Sequence, residues 1–375
     1  MRVDKSKWEK VKLGKVCEVI SGATPKTNVA EYWSDSGHLW ITPAELDGTK
    51  YVGSTARHIT DFALQHTHLT EMPVGTVLLS SRAPIGKVAI TTDVMYCNQG
   101  FKNLVCTKSI YNEFLYFYLT SQTERLNYLG NGVTFKEISK KTVSDFSIFL
   151  PPLFEQRAIA EELDGIQSMI GKCREQLEDY DRLARSIFHE MFGDPVRNDK
   201  GWEVKKLKGL FINRDSERVP LPSSYRKDHK GIYDYYGACG VIDSIDDFIF
   251  DEKLLLIGED GANLVTCSKP NAIIASGKYW VNNHAHVLQC TNCIDIVYAC
   301  YAFNYIDISS YITGVAQPKL NQSNLNKIAI PLPPLPLQQK FAERIEAIEK
   351  MKEATKAQLA DLQQLFDSRM QYYFS

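Results

Sequence analysis

The stretch LPPLFEQRAIAEELDGIQSMIGKCREQLEDYDRLARSIFHEMF, Leu150 to Phe192, returns as LPPLPLQQKFAERIEAIEKMKEATKAQLADLQQLFDSRMQYYF, Leu332 to Phe374. The offset of 182 residues holds without a gap, with Pro151/Pro333, Pro152/Pro334, Gln156/Gln338, Ile166/Ile348, Leu177/Leu359 and Phe192/Phe374 among the identities. A repeat of this length makes the chain two copies of one plan. Paired prolines hold the backbone extended and supply no N–H, so each segment predicts a helix that begins just after them. In the first copy apolar residues fall at Ile159, Leu163, Ile166, Ile170, Cys173, Leu177, Tyr180, Ala184, Ile187 and Met191. The steps alternate four and three, a heptad seam held for more than four heptads. Gly193 and then Asp194-Pro195 stop it, as a C-terminal glycine and trailing proline do. A helix of about 38 residues is a rod of roughly 55–60 Å. The second copy is less regular: Phe341, Ile345, Ile348, Leu359 and Leu362 carry its stripe, while the offset puts Lys352, Thr355 and Arg369 on seam positions. A rod with an apolar seam needs a partner, and the chain contains two. Pairing of the two as a coiled coil accounts for their length better than packing of each on its own domain alone.

The chain of 375 residues has room for two or three domains. Its 44% hydrophobic and 23% charged content is ordinary for a soluble protein. No apolar run reaches spanning length and the N-terminus lacks the apolar core of a signal peptide, which predicts a cytoplasmic protein with no membrane segment. Nine scattered cysteines fit a reducing compartment better than a disulfide framework. Cys290-Thr-Asn-Cys293 has a metal-ligand spacing but no clear second pair, so free thiols are the expectation and no metal is assigned. The net charge of −2 excludes a wholesale polyanion binder. Residues 1–149 carry 17 Lys+Arg against 14 Asp+Glu, and Glu155–Phe192 carries 5 against 9. Any nucleic-acid contact must therefore come from local basic faces.

Before Leu150 no long helix is legible. GTVLLSS from Gly75 and KVAIT from Lys87 read as strands joined by a proline- and glycine-bearing loop, NQGFKNLV from Asn98 enters another strand, and EFLYFYLTSQ from Glu113 reads as a buried helix. The second copy repeats the order: WEVKKL at Trp202 echoes WEKVKL at Trp8, and NNHAHVL at Asn282 corresponds to NQGFKNL. KLLLIGEDGANLV from Lys253 echoes the strand–loop–strand of GTVLLSSRAPIGKVAI. Mixed strands, short helices and long loops predict an α+β fold, with content that varies between a shared opening and a shared ending.

At this point the chain resembles the DNA-specificity (S) subunit of type I restriction–modification systems. The resemblance covers nearly the whole length and rests on the duplicated Leu-Pro-Pro-Leu start with Gln156 or Gln338, the two long helices, and two variable domains that begin near Trp8-Glu9 and Trp202-Glu203. SGATPKT at Ser21, WITPAEL at Trp40, LLSSRAPIGKVAI at Leu78 and GVAQPKLN at Gly314 look like frequent forms of the family's target-recognition domain. The resemblance implies target-recognition domains over 1–150 and 202–332, long helices over 151–193 and 333–375, and a linker over 194–201. It implies that the helices pair as an antiparallel coiled coil with pseudo-twofold inversion. Each domain would read one half of an asymmetric two-part site on double-stranded DNA, with the coiled coil as the ruler of the unread gap. Two methyltransferase (M) subunits and two restriction (R) subunits would dock on the chain.

Base readout needs donors and acceptors on loops held by a rigid frame, with Lys and Arg on the phosphates. In the first domain the candidates are Lys26 for phosphate, Ser80, Ser81 and Arg82 at a strand end, Asn98, Gln99 and Lys102 around Gly100, and Thr134 and Lys136 after a glycine turn. In the second they are Tyr235, Tyr236, Glu259, Asp260, Asn283, His284, His286, Gln317 and Lys319. His284 and His286 could suggest a metal pair, but a recognition or structural role is preferred.

The chain shows no chemistry of its own. It has no Gly-Lys-Ser/Thr phosphate loop, no Asn/Asp-Pro-Pro-Tyr/Phe motif of the kind that marks amino-methyltransferases, and no nuclease-like acidic cluster. It carries no cofactor; S-adenosylmethionine, ATP and magnesium would belong to the partner subunits. The competing class is an adaptor whose coiled coil scaffolds other proteins, which has little use for two unequal copies of one loop-rich domain.

Overall fold

The computed structural model describes residues 3–82, 84–130, 136–314 and 316–375. Helices run over Leu153–Phe192 and Leu335–Phe374, each starting directly after its prolines and each 40 residues long. Contacts divide the chain into two units, residues 1–173 with 358–375 and residues 174–357, so each long helix contributes half its length to each unit.

In the first unit the opening strand Glu9–Lys12 pairs antiparallel with Ser147–Leu150, the strand that feeds the prolines. A five-stranded sheet runs in the order Cys17–Ser21, Lys102–Cys106, Val77–Leu79, Val88–Thr91, Tyr51–Val52. A second sheet has the order Trp33–Ser34, Arg57–Ile59, His38–Ile41, Met95–Cys97. The helix Asn112–Ser121 is buried from Phe114 through Leu119. Six buried residues in a row leave no solvent face, the mark of a helix covered on all sides. The sheet covers one side, and the end of the C-terminal helix covers another: Phe374 meets Phe114 at 5.6 Å and Tyr118 at 5.5 Å between ring centroids. The start of the central helix lies beside that same end, where Glu162 accepts from Tyr373 Oη at 2.7 Å and from Arg369 Nε at 2.5 Å.

The second unit repeats the scheme. Val204–Lys206 pairs with Ala329–Pro331. One sheet has the order Phe211–Asn213, Ala285–Cys290, Leu254–Gly258, Ala272–Ala275, and another Gly240–Ile245, Tyr233–Gly237, Lys278–Val281, Phe250–Asp251. Its buried helix is Ile296–Tyr305, and here the end of the central helix supplies the cover: Phe192 lies 4.8 Å from Tyr298. Phe192 and Phe374, identical in the repeat, thus do the same task. The start of the C-terminal helix runs alongside, with Phe341 at 5.2 Å from Phe192 and Lys352 Nζ donating to Asp181 at 2.8 Å. In one unit the start of the central helix meets the end of the C-terminal one; in the other its end meets the start. The long helices therefore pair antiparallel.

Ile159, Leu163, Ile166, Ile170, Phe341, Ile345 and Ile348 are buried, and Leu177, Leu359 and Leu362 are half-buried. The two prolines also share an anchor. Gln156, fully buried, accepts from Tyr111 N at 2.7 Å and donates to Pro151 O at 2.8 Å and Ser109 O at 3.0 Å. Gln338, equally buried, accepts from Asp295 N at 2.9 Å and donates to Pro333 O at 2.7 Å. Each glutamine binds the first turn of a long helix to the start of its unit's buried helix.

The echo expected at Lys253 holds only for its first strand. Asn263–Thr266 is a helical turn, and the next strand is Ala272–Ala275. Asn263 closes that loop on itself, donating to Lys269 O at 3.0 Å and Asn271 Oδ1 at 2.7 Å while accepting from Lys269 N at 2.9 Å. A side chain that binds its own neighbourhood competes with the ladder a strand would need.

Candidate nucleic-acid interface

In the first unit the candidate residues gather where four segments meet. Gly22 lets the segment after Cys17–Ser21 pass against residues 97–98: a Cβ there would come 1.9 Å from Asn98 O. Ala23 N donates to Cys97 O at 2.9 Å, and Thr24 Oγ1 donates to Gln99 Oε1. Ser81 N donates to Gly100 O at 2.7 Å and Ile138 N to Ser81 O at 2.9 Å, which adds the strand-end and Glu137 segments to the cluster.

Burial divides the candidates. Ser80 is fully buried; its hydroxyl donates to Pro84 O at 2.7 Å and accepts from Lys87 N at 2.9 Å, closing the proline turn. Ser81 is also fully buried and accepts from Lys102 Nζ at 3.3 Å. Lys102 further donates to Gln99 O, Phe101 O and Glu137 Oε1. Arg82 Nε donates to Glu137 Oε2 at 3.0 Å. Burial alone would raise the Glu137 carboxyl, but hydrogen bonds from Arg82 and Lys102 hold it below its ordinary value. Asn98 Oδ1 accepts from Gly100 N at 2.9 Å. Lys26, Gln99 and Lys136 are exposed, and Arg82 keeps 45% of its side chain open. Thr134 lies outside the described residues.

The second unit assembles its candidates in the same way. Asn282 Oδ1 accepts from His284 N at 2.8 Å, matching the Asn98 turn, and Asn98 N and Asn282 N each donate at 3.1 Å to the neighbouring strand, at Ile41 O and Tyr236 O. Glu259 N donates to His284 O, Leu320 N to Glu259 O and Gly261 N to Pro318 O, at 2.8, 2.8 and 3.0 Å. These bonds stitch the Glu259, Asn283 and Gln317 loops together. Beneath them lies a charge network that sequence reasoning missed, although the alternating run Arg214-Asp215-Ser216-Glu217-Arg218 carries its signal. Arg218 donates to Glu259 at 2.7 Å and to Ala285 O at 2.7 Å, and Lys319 reaches Glu259 at 3.3 Å. Burial would raise the Glu259 carboxyl; Arg218, His286 and Lys319 bring it below its ordinary value.

His286 is buried, with Nδ1 2.6 Å from Asp215 Oδ2 and Nε2 2.7 Å from Leu320 O. Asp215, Glu259 and His286 place possible ligand atoms within 4.8 Å of one another. Both imidazole nitrogens face oxygen acceptors and both carboxylates already face cations, so the group fits an ion-pair network better than a metal centre. Tyr235 is buried, and its hydroxyl accepts from Leu221 N at 3.0 Å. Tyr236 is half-buried against Tyr279. His284 is bonded to Asp260 at 2.7 Å with 48% of its side chain open, while Asn283, Gln317 and Lys319 are exposed. Ser80, Ser81, Lys102, Tyr235 and His286 are therefore buried in the loops they shape, each polar side chain already in a hydrogen bond. Among the described residues no helix is long and apolar enough to cross a membrane.

Two domains on one plan, each presenting stitched polar loops and each anchored to both long helices, define a protein of duplicated recognition modules. The type I restriction modification DNA specificity domain family matches residues 5–178 and 199–364, and the chain belongs to it. It is 28% identical to the type I restriction enzyme MjaIX specificity subunit of Methanocaldococcus jannaschii, over 91% of this chain and 86% of that one. It is 23% identical to the EcoprrI specificity subunit of Escherichia coli, over 86% and 82% of the two chains. Among solved structures the fold is shared with the S subunit of a type I restriction–modification system from M. genitalium, at a TM-score of 0.65 and 17% identity over 99% and 97% of the chains.

Proposed function

We propose that the chain is the DNA-reading subunit of a cytoplasmic type I restriction–modification complex. Each unit reads one half of an asymmetric two-part site, and the paired helices set the gap between the halves. Readout falls to the exposed candidates, Lys26, Arg82, Gln99 and Lys136 in one unit and Asn283, His284, Gln317 and Lys319 in the other, with Asn98, Tyr236, Glu259 and Asp260 beside them. The chain is not itself a catalyst: methyltransferase subunits that use S-adenosylmethionine and restriction subunits that use ATP and magnesium dock on it, two of each.

The observation that carries this reading is the division of labour inside each unit. Main-chain hydrogen bonds over a layer of buried side chains stitch three or four loops into one rim, and a buried glutamine fixes that unit to a long helix. A rim of preorganised donors and acceptors on a rigid mount is what base readout requires. The test is the pattern of methylated adenines, mapped by single-molecule sequencing in cells that carry this chain with a methyltransferase partner. Two short motifs separated by a fixed gap are expected; one continuous motif, or no new methylation with both chains soluble, would overturn the reading.

A further inference from the structure

Arg57 sits on a central strand of the first unit's second sheet, directly across from Trp40 and two residues before Ile59, the partner of Trp33. Its guanidinium lies 3.6 Å from the centre of the Trp33 ring and 5.2 Å from that of Trp40, and the two indoles meet edge to face. Both indole N–H groups donate to the segment that carries Lys26: Trp40 Nε1 to Ala23 O at 3.1 Å and Trp33 Nε1 to Lys26 O at 3.3 Å. Arg57 is therefore held in place beside the polar rim, yet it is exposed. Among the described residues no carboxylate forms an ion pair with it; Arg125, Arg157 and Arg185 also cover rings without one, but they belong to the helices Thr123–Leu129 and Leu153–Phe192 and not to a sheet beside the rim.

The second unit also covers the corresponding ring with an arginine, but supplies it from the helix Ser223–Asp228. There Tyr235 takes the position of Trp40, on a strand whose end receives the Asn282 N–H as Ile41 receives that of Asn98. The residue across from Tyr235 is Asp243 instead of an arginine. Arg226 covers the Tyr235 ring at 4.8 Å, and Asp243 takes its Nε at 2.9 Å. The guanidinium over Tyr235 is paired with a carboxylate; that over Trp33 is not.

We propose that Arg57 reads a base in the half-site of the first unit, its planar fork addressed to the O6 and N7 acceptors of a guanine. The inference rests on the function proposed above. A flexible lysine suffices for a phosphate, but a guanidinium held over an aromatic ring, 3.6 Å from its centre, loses less freedom when its planar fork makes bidentate contact with a base edge. Sequence reading passed over Arg57 because YVGSTARHIT carries no motif; only the fold puts it over Trp33.

The test compares wild type with Arg57→Lys and Arg57→Met, each full chain co-expressed with its methyltransferase partner and the methylated adenines mapped. Methionine keeps the stem against the indoles without the fork, and thermal unfolding of each purified chain checks the fold. Expected is a motif relaxed at one guanine of one half, with discrimination there falling roughly 5- to 150-fold, the other half and the gap unchanged, and thermal midpoints alike. An unaltered motif, or an equal fall at every site, overturns the assignment, as does a Met variant whose lowered thermal midpoint accounts for lost methylation everywhere. A wild-type chain that produces no two-part motif overturns the proposed function and this inference together; a wild-type two-part motif with unaffected variants overturns the inference alone.

Discussion

Replacing Gln156 by leucine tests whether the recognition module is bolted to the long helix by the anchor that both copies of the repeat share. The amide side chain is fully buried and fills three bonds, to Tyr111 N, Pro151 O and Ser109 O. Leucine matches its size but leaves the Tyr111 N–H and Pro151 C=O without partners, since Ser109 is exposed and its carbonyl can turn to water. A buried polar group left unmade costs about 1–3 kcal/mol, so two cost about 2–6 kcal/mol. The apolar surface gained by leucine offsets about 1–2 kcal/mol of this. The midpoints of these ranges leave a net loss of about 2.5 kcal/mol, a large part of the roughly 5–15 kcal/mol that holds a domain together.

Hydrogen exchange on the full-length chain reads this locally. Protection of the amides from Tyr111 to Tyr116 should fall roughly 70-fold, the factor that about 2.5 kcal/mol implies, while those from Asp295 to Ala299 keep theirs. Gln338→Leu should do the reverse. If either variant loses less than about 0.5 kcal/mol, or if both helices loosen together in each variant, the glutamines are not separate anchors and the argument fails.

Gly22→Ala should lower the thermal midpoint by several degrees, because its Cβ would meet Asn98 O at 1.9 Å and Cys97 O at 2.5 Å, and a backbone clash of this kind costs about 1–3 kcal/mol. The pH profile of stability should have two opposed limbs within the first unit. Glu162 is held down to about 2 because hydrogen bonds from Arg369 and Tyr373 outweigh its burial, so its contribution is present above the ordinary glutamate range and lost as pH falls toward 2. Asp164 is pushed up to about 6 by burial and by Glu113, against the pull of Lys50, so its contribution is present at low pH and lost as pH rises through 6. Thermal midpoints of Asp164→Asn should lack the second limb, and a profile identical to wild type would count against it. Inserting one heptad in each long helix at matched positions should widen the gap of the methylated motif by about three base pairs, since seven residues add about 10 Å; altered half-sites would refute the separation of ruler from readers.

The long helices were legible because three independent signals agree: the prolines that forbid an earlier start, the four-three spacing, and the repeat itself. Pairing direction was not in the periodicity; it becomes visible only when Phe192 and Phe374 are seen covering each other's counterpart helices. The Asn263 turn was misread as a strand because apolar Leu264 and Val265 resemble one in a short window, while the deciding bonds run from Asn263 to Lys269 and Asn271. The rims were legible as neighbourhoods and illegible as roles. Lys102 and Lys26 are the same residue type in equally polar loops, yet one is 7% exposed with four acceptors around it and the other lies open.

Under the proposed function, that division would let two copies of one plan carry different specificities. A loop residue that reads a base is useful only if the loop has one conformation, so every exposed donor needs buried partners that take no part in reading. In the first unit Ser80, Ser81 and Lys102 supply that frame; in the second Asp215, Arg218 and His286 do, with different chemistry at the same place. What both units retain is the mount: the opening strand paired with the strand before the prolines, and the glutamine under it. Substitution at an exposed rim residue then changes what is read at little structural cost, whereas substitution in the frame disturbs several contacts at once. The rim can diverge one residue at a time, and the frame can change only as a set.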